Sequence, residues 1–477
     1  MTTKPRLLIR RRLDDIETPV SAMLKLGPES PGTFLFESVL GGEQRGRYSF
    51  IGFEPDLWWR VQDGCAETSS CADFSEIIAQ SRAPLEDLRQ FIANCSVECD
   101  EDLPSMAAGA FGYLGYDMIR YVEKLPHAPP DALNVPEAVM VRPTVILIFD
   151  LLKQEIILAT PVRQSEEEAE GRLNRVEAIL NEPLRAGRPG HAEAASVSFT
   201  SNTPRDRYAE MVRKAKDYIR AGDIFQVVPS QRFEADFNLP AFALYRALRR
   251  LNPSPFLFYM NLGHFQITGS SPEILVRLRN NVVTVRPIAG TLPRGATPEE
   301  DLANEKALLS DPKELAEHLM LLDLGRNDVG RVAKYGSVSV TESFAIERYS
   351  HVMHIVSNVE GLLRDGEDCV SALMAGFPAG TVSGAPKIRA MEIINELETH
   401  KRGVYAGSVG YFGLKGDMDT CIALRTAVVK DGKLYVQAGG GIVLDSVEEK
   451  EFQETEHKAG ALFRAAAEAV RYTGGNA

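Results

Sequence analysis

No Cys-x-x-Cys pair occurs among Cys65, Cys71, Cys95, Cys99, Cys369 and Cys421. This excludes a paired-thiolate zinc site and gives no sign of a disulfide framework, and it fits a reducing compartment. No Gly-x-Ser-x-Gly or Gly-x-Cys-x-Gly elbow is present, so Ser-His-Asp and Cys-His catalysis find no support. A strand followed by Gly-x-Gly-x-x-Gly and a helix is also missing, which excludes a doubly wound dinucleotide fold. Positive charge is in deficit: 53 Lys and Arg stand against 66 Asp and Glu, a net −13. Neither nucleic acid nor an anionic membrane is therefore expected as a partner, and an acidic ligand must be met by local cations. Apolar runs reach only strand length, as in Val145–Phe149, and Arg10-Arg11-Arg12 is followed by Leu13-Asp14-Asp15 with no apolar stretch. A cytoplasmic soluble protein is expected, and 477 residues leave room for two domains or one large one.

The segment from Glu166 to about Ile179 reads as an acidic amphipathic helix. Pro183 to Asn202 carries Pro, Gly, Ala and Ser with little periodicity and reads as a linker, dividing the chain into 1–182, 183–202 and 203–477. Before the linker, Thr144–Phe149 and Glu155–Ala159 predict an antiparallel hairpin. After it, Thr203 is expected to cap a helix with Pro204 at its first position and Gly222 at its end. Strands are predicted at Ile224–Phe233, Phe256–Met260, Phe265–Thr268, Val282–Arg286, Val338–Val340, Val352–Glu360, Val404–Phe412, Thr420–Val429 and Leu434–Ala438. Helices are predicted at Pro312–Leu322, Pro386–Leu397 and Glu448–Val470. Short turns such as Asp431-Gly432 favour antiparallel pairing. The fold class is α+β, a multilayer α/β sandwich with largely antiparallel sheets flanked by helices.

The chemistry concentrates near the C-terminus. In Gln437-Ala-Gly439-Gly440-Gly441-Ile442 three glycines let backbone N–H groups approach a ligand. The helix that follows places Glu451, Glu454 and Lys458 on one face. The same spacing also suits an exposed helix, since Glu454 and Lys458 stand in the favourable i,i+4 order. A second pair, Glu314 and Glu317, follows Asp311-Pro312, where Asp311 can cap and Glu314 has the alternative role of capping-box acid. Two Glu-x-x-Glu pairs offer only oxygen ligands with vacant positions, which suits Mg²⁺. Meeting without a cation, four carboxylates would raise one another's pKa values. Gly380-Thr381-Val-Ser383-Gly-Ala-Pro386-Lys387 runs into a helix without P-loop spacing but with free N–H groups, hydroxyls and a lysine. Arg425 is read as a strand residue whose natural partner, if it is buried, is a carboxylate. Tyr405 can donate a hydrogen bond. His351 and His354 fall on opposite faces of a strand, which makes joint metal ligation improbable but leaves either free to act as a base.

These segments together resemble anthranilate synthase component I, of the chorismate-utilising enzymes. The likeness rests on Pro287-Ile-Ala-Gly-Thr291, Asp323–Arg331, Glu347–His354, Gly376–Glu396, Arg402–Gly407 and the C-terminal motif, in order and correctly spaced across both halves. The resemblance implies two intertwined domains and a Mg²⁺ held by Glu317 and Glu454, with Glu314 and Glu451 alongside. It implies that the ring carboxylate of chorismate meets this metal, that Tyr405, Arg425 and the amides of Gly439, Gly440 and Gly441 grip the pyruvyl carboxylate, and that Gly290, Thr291, Thr381 and Lys458 line the pocket. Glu273 matches the general acid for the leaving 4-hydroxyl, and His354 the residue tied to pyruvate loss. Water-using relatives carry a lysine base where this chain has Gln226, and aminodeoxychorismate synthases carry a nucleophilic lysine where it has Ala289. Amination at C2 with ammonia, then elimination to anthranilate at the first step of tryptophan biosynthesis, is therefore the expected reaction. The alternatives are aminodeoxychorismate synthase component I and a non-catalytic tryptophan-binding regulatory subunit.

The N-terminal half is similar to the family's L-tryptophan feedback site. Glu37 and Ser38 lie in Leu35-Phe-Glu-Ser38, Arg47 in Gly46-Arg-Tyr-Ser-Phe50, and Pro255, Phe256 and Leu257 stand where Pro-Tyr-Met is usual. The family also implies a hetero-oligomer with a separate glutamine amidotransferase subunit that delivers ammonia.

Overall fold

The computed structural model describes residues 4–40, 44–99, 102–184, 193–349 and 352–473. Its centre is the strand Ala138–Asp150, whose Val-Ile-Leu-Ile-Phe run is buried on both faces. One edge pairs along its length with Tyr48–Gln62; the other pairs with Ala110–Leu114 at its start and Glu155–Pro161 at its end. Two antiparallel arms grow from this trunk. One passes from Tyr48–Gln62 through Phe34–Glu37 to Phe256–Asn261, Gln266–Ser271, Thr426–Lys430, Lys433–Gly439 and Ser230–Asp236. The other passes from Ala110–Leu114 to Ser408–Phe412, Met418–Ile422, Ile274–Arg279, Val282–Val285 and Val352–Leu362. Each arm therefore crosses from the first half of the chain into the second.

The arms face each other across an aromatic core. Phe34 stacks on Phe111 at 4.8 Å, Phe36 on Phe50 at 5.2 Å, and Phe111 on Tyr411 at 5.7 Å. Burying each such ring contributes on the order of 1.5–3 kcal/mol. Helices Pro19–Leu26, Glu166–Asn181, Ala241–Leu251 and Glu448–Glu468 cover the outer face of the first arm. Pro84–Cys95, Pro312–Val332 and Cys369–Gly376 cover that of the second. The result is a helix–sheet–sheet–helix sandwich, as its antiparallel turns and helical periodicities predict. Among the described residues no helix is long and apolar enough to cross a membrane.

Several boundaries differ from the sequence reading. The post-linker helix starts at Arg205, with Pro204 rather than Thr203 at its cap and no side-chain capping bond; Gly222 closes it at φ +83° as expected. Pro312–Val332 runs ten residues past Leu322 because Gly325, Asp328, Val329 and Val332 continue a buried face. The run Ile224–Phe233 divides into Gln226–Val227 and Ser230–Asp236, and Val404–Phe412 is strand only from Ser408. Thr420–Val429 is likewise two strands, Met418–Ile422 and Thr426–Lys430, separated by Ala423–Arg425.

Candidate active site

The helix Pro312–Val332 opens at Asp311, whose carboxylate accepts the Lys313 amide at 2.9 Å. With the cap made there, Glu314 is turned toward Gly290 instead. Gly290 sits in a bulge between Ala289 and Thr291 with φ +65°, and a side chain on it would meet the Glu314 carboxylate and Leu308. One helical turn on, Glu317 accepts the Gln226 amide at 3.0 Å.

The three glycines each approach a different group. A side chain on Gly439 would touch the Tyr405 hydroxyl, one on Gly440 the Glu451 carboxylate, and one on Gly441 the Gln226 amide. Lys458 donates to the Gly439 carbonyl at 3.0 Å and pairs with Glu454 at 2.8 Å. Glu451 Oε2 and Gln226 Oε1 are buried with no hydrogen-bond partner.

The two acidic helices share one field. Burial raises the Glu314 carboxyl above its ordinary range, and the neighbouring Glu317 and the more distant Glu454 add to the effect. Glu451 is raised by burial too, with Glu454 adding and a Ser446 hydrogen bond opposing. Lys313 eases both. Among the described residues no three His, Cys, Asp or Glu side chains enclose a metal position. The acids instead form an arc of coupled carboxylates, Glu317 and Glu454 acting on Glu314 and Glu454 on Glu451, with Glu451 Oε2 orphaned, which suits a hard cation that keeps waters and takes ligands from a bound anion.

Glu273 lies in the break between Gln266–Ser271 and Ile274–Arg279 and is buried. Burial pushes its carboxyl up to about 8, against the Thr381 side chain and the Ile288 amide, which favour the charged form. The Thr381 hydroxyl itself is buried without a well-formed hydrogen bond. His354 faces Thr291 across the ladder and is also buried. Its Nδ1 lies 3.0 Å from both the Gly290 carbonyl and the Thr291 hydroxyl. The carbonyl can only accept, so Nδ1 carries the proton and Nε2 is left as a base. Burial takes this imidazole down to about 4, helped by Arg425 and opposed by the Gly290 carbonyl. A protonated carboxyl and a neutral imidazole thus coexist near neutral pH.

Arg425 is not a strand residue. It stands at φ +46° between two strands, with its carbonyl accepting the Ser270 amide. Burial lowers its pKa, Tyr349 opposes this, and no carboxylate among the described residues pairs with it. Tyr405 is buried, its hydroxyl pushed up to about 12 mainly by desolvation, beneath an Arg402–Glu398 pair at 2.6 Å. Lys387 is not a free anion handle: its Nζ is 2.9 Å from both Asp328 oxygens and buried with them. Its partner lies 59 positions away, beyond what local spacing can reveal. His351 lies outside the described residues.

The residues predicted for an inhibitor assemble elsewhere. Glu37, Ser38, Arg47, Pro255 and Phe256 line one cavity of about 700 Å³, which extends along Arg286, Ile288, Glu347 and Tyr349. Leu257 does not line it; strand alternation turns this side chain into the opposite core. Glu37 is held by Arg249 at 2.6 and 2.9 Å and by Tyr245 at 2.5 Å, and Arg47 pairs with Asp150 at 2.8 Å.

A largely antiparallel sandwich with an acid arc, an arginine that has no carboxylate partner among the described residues, and a buried acid and base suits an enzyme acting on a small polyanion. The chain belongs to the chorismate binding enzyme family, whose model matches residues 44–464. Among its relatives, anthranilate synthase component 1 of Cereibacter sphaeroides is 57% identical over 97% of this chain and 95% of that protein. The Thermus thermophilus protein of the same name is 48% identical over 95% and 96%. The solved anthranilate synthase component I of Streptococcus pneumoniae superposes with a TM-score of 0.79 at 40% identity, over 88% of this chain and 92% of that one. The menaquinone-specific isochorismate synthase of Escherichia coli shares the fold, with a TM-score of 0.73 at 19% identity over 97% and 95%.

Proposed function

We propose that this chain is the chorismate-aminating subunit of an anthranilate synthase, acting in the cytoplasm on ammonia supplied by a separate glutamine amidotransferase subunit. The observation that carries the reading is that Glu273 and His354 are both buried and that Arg425, which has no carboxylate partner among the described residues, lies near enough to His354 for its charge to act on the imidazole. Arg425 and Tyr405 grip the pyruvyl carboxylate, and the Gly439–Gly441 amides close over it. Glu317 and Glu454, with Glu314 and Glu451 alongside, would hold Mg²⁺. The bound cation supplies electron withdrawal that makes C2 of the ring electrophilic. Glu273 gives its proton to the 4-hydroxyl, which leaves as water while ammonia adds at C2. His354 Nε2 then takes the C2 proton, the C3–O bond breaks, and the departing enolpyruvate is protonated to pyruvate. Lys458, Thr291 and Thr381 line the pocket around these groups.

Two side chains favour ammonia over water and over a covalent route. Gln226 is a neutral amide donating to Glu317, so it has no lone pair basic enough to deprotonate water. Ala289 offers no nucleophile. Chorismate, Mg²⁺ and ammonium should therefore give fluorescent anthranilate at alkaline pH. A non-aromatic amino product would count against the reading.

The 700 Å³ cavity fits feedback by L-tryptophan, bound between the Glu37–Ser38 and Pro255–Phe256 walls. The division into 1–182 and 203–477 belongs to this reading, because the two walls come from the two parts. Ser38→Ala should raise the half-inhibiting tryptophan concentration about tenfold in the anthranilate assay. Unchanged inhibition would place the effector elsewhere.

A further inference from the structure

Between the inhibitor cavity and His354 stands one aromatic side chain that the proposed chemistry does not use. The Tyr349 ring meets the His354 ring edge-on at 5.3 Å between centroids. Its hydroxyl donates to Glu347 Oε2 at 2.8 Å, and Arg286 donates to Glu347 Oε1 at 2.5 Å. Arg286, Glu347 and Tyr349 all line the 700 Å³ cavity. Arg286 also donates to Glu342 at 2.9 Å, while its Nε is buried without a hydrogen-bond partner. The Tyr349 backbone is fixed as well: its amide donates to the Val352 carbonyl at 2.8 Å, and its carbonyl accepts Arg294 at 2.8 Å. The side chain therefore has little freedom to drift, and a shift at Arg286–Glu347 is passed to the imidazole through contiguous contacts.

We propose that Tyr349 is a positioning residue joining the cavity wall to the base. Its ring sets the plane of His354 so that Nδ1 stays on the Gly290 carbonyl and Nε2 faces the substrate. Its hydroxyl, through Glu347 and Arg286, carries the state of the cavity to that imidazole. The second half of the proposal rests on the reading of the cavity as a tryptophan site. An amino-acid carboxylate that drew the Arg286 guanidinium from Glu347 and Glu342 would let Glu347 shift and pull the Tyr349 hydroxyl, and the ring with it, away from His354. Tryptophan would then act on the base as well as on chorismate affinity.

The test compares Tyr349→Leu and Tyr349→Phe in the anthranilate assay, with thermal unfolding as the folding control and calorimetric titration of tryptophan. Leu should lower kcat tenfold or more with KM for chorismate within twofold, and Phe should restore at least a third of wild-type kcat. Phe should also raise the half-inhibiting tryptophan concentration at least fivefold while tryptophan Kd stays within twofold. Equal kcat for Leu and wild type, or a loss in KM alone, would overturn the positioning role. Wild-type inhibition of the Phe variant would overturn the coupling. If tryptophan fails to bind the wild-type protein, the cavity assignment and the coupling both fall, while the Leu–Phe contrast in kcat still decides the positioning.

Discussion

Glu273→Gln should cut anthranilate formation about a thousandfold, the middle of the range for loss of a general acid, while leaving the protein at least as stable at pH 8. Glutamine preserves shape and hydrogen bonding but has no proton to give the leaving hydroxyl. Stability should move the other way. The unfolded carboxyl titrates near 4.5 and the buried one at about 8, so the folded state favours the neutral acid. The stability tied to that proton is complete below pH 4.5 and is lost as pH rises through about 8, on the order of 4–5 kcal/mol in all. Denaturant unfolding from pH 5 to 9 should fall less steeply for the glutamine variant than for wild type. The rate carries the matching signature. At a fixed concentration of free ammonia, wild-type kcat/KM should hold between about 4, where His354 becomes neutral, and about 8, where Glu273 loses its proton. Turnover of the variant within tenfold of wild type would move the acid to another residue.

The features legible in the sequence are those written in local periods. The 3.6-residue helical repeat puts Glu314 with Glu317 and Glu451 with Glu454, and the structure keeps both pairs on helices, near enough for Glu454 to act on Glu314. Asp431-Gly432 marks a turn that the structure makes with φ of +52° and +73°, joining Lys430 to Lys433. Antiparallel pairing across both halves follows from such turns. Arg425 was legible as a charge in need of a partner but not as a break in a strand. Its left-handed backbone is imposed by the register that brings Gln266–Ser271 against Thr426–Lys430 and Ile274–Arg279 against Met418–Ile422. Leu257 shows the converse: strict alternation along Phe256–Asn261 already assigns it to the face opposite Phe256. Gln226 against Glu317 and Lys387 against Asp328 are products of tertiary folding. No spacing rule links residues 91 or 59 positions apart.

Glu317→Gln and Glu454→Gln should each weaken Mg²⁺ binding by at least about a hundredfold, more than is usual for losing a group behind the ligands. Anthranilate formation at millimolar Mg²⁺ should fall correspondingly and recover in part as the cation is raised. Activity alone would not separate a lost ligand from a damaged fold, so the decisive reading is stability. Burial and the adjoining carboxylates raise Glu314 and Glu451 above their usual range. Groups raised in this way contribute stability below the unfolded pKa, near 4.5, and lose it as pH rises through the folded value. At pH 8 without metal the wild-type arc is therefore self-repelling, and neutralising Glu317 or Glu454 should raise the unfolding temperature in chelator. Added Mg²⁺ should stabilise the wild-type protein by mass action and leave both variants nearly unmoved. The glutamine variants would then be more stable than wild type in chelator and would gain less on adding Mg²⁺. If both variants respond to Mg²⁺ as wild type does, the acids are not its ligands. If the wild-type protein gains nothing from Mg²⁺ even with chorismate present, the arc needs another counter-charge, and Lys313 and Lys458, the cations already beside it, become the groups to mutate next.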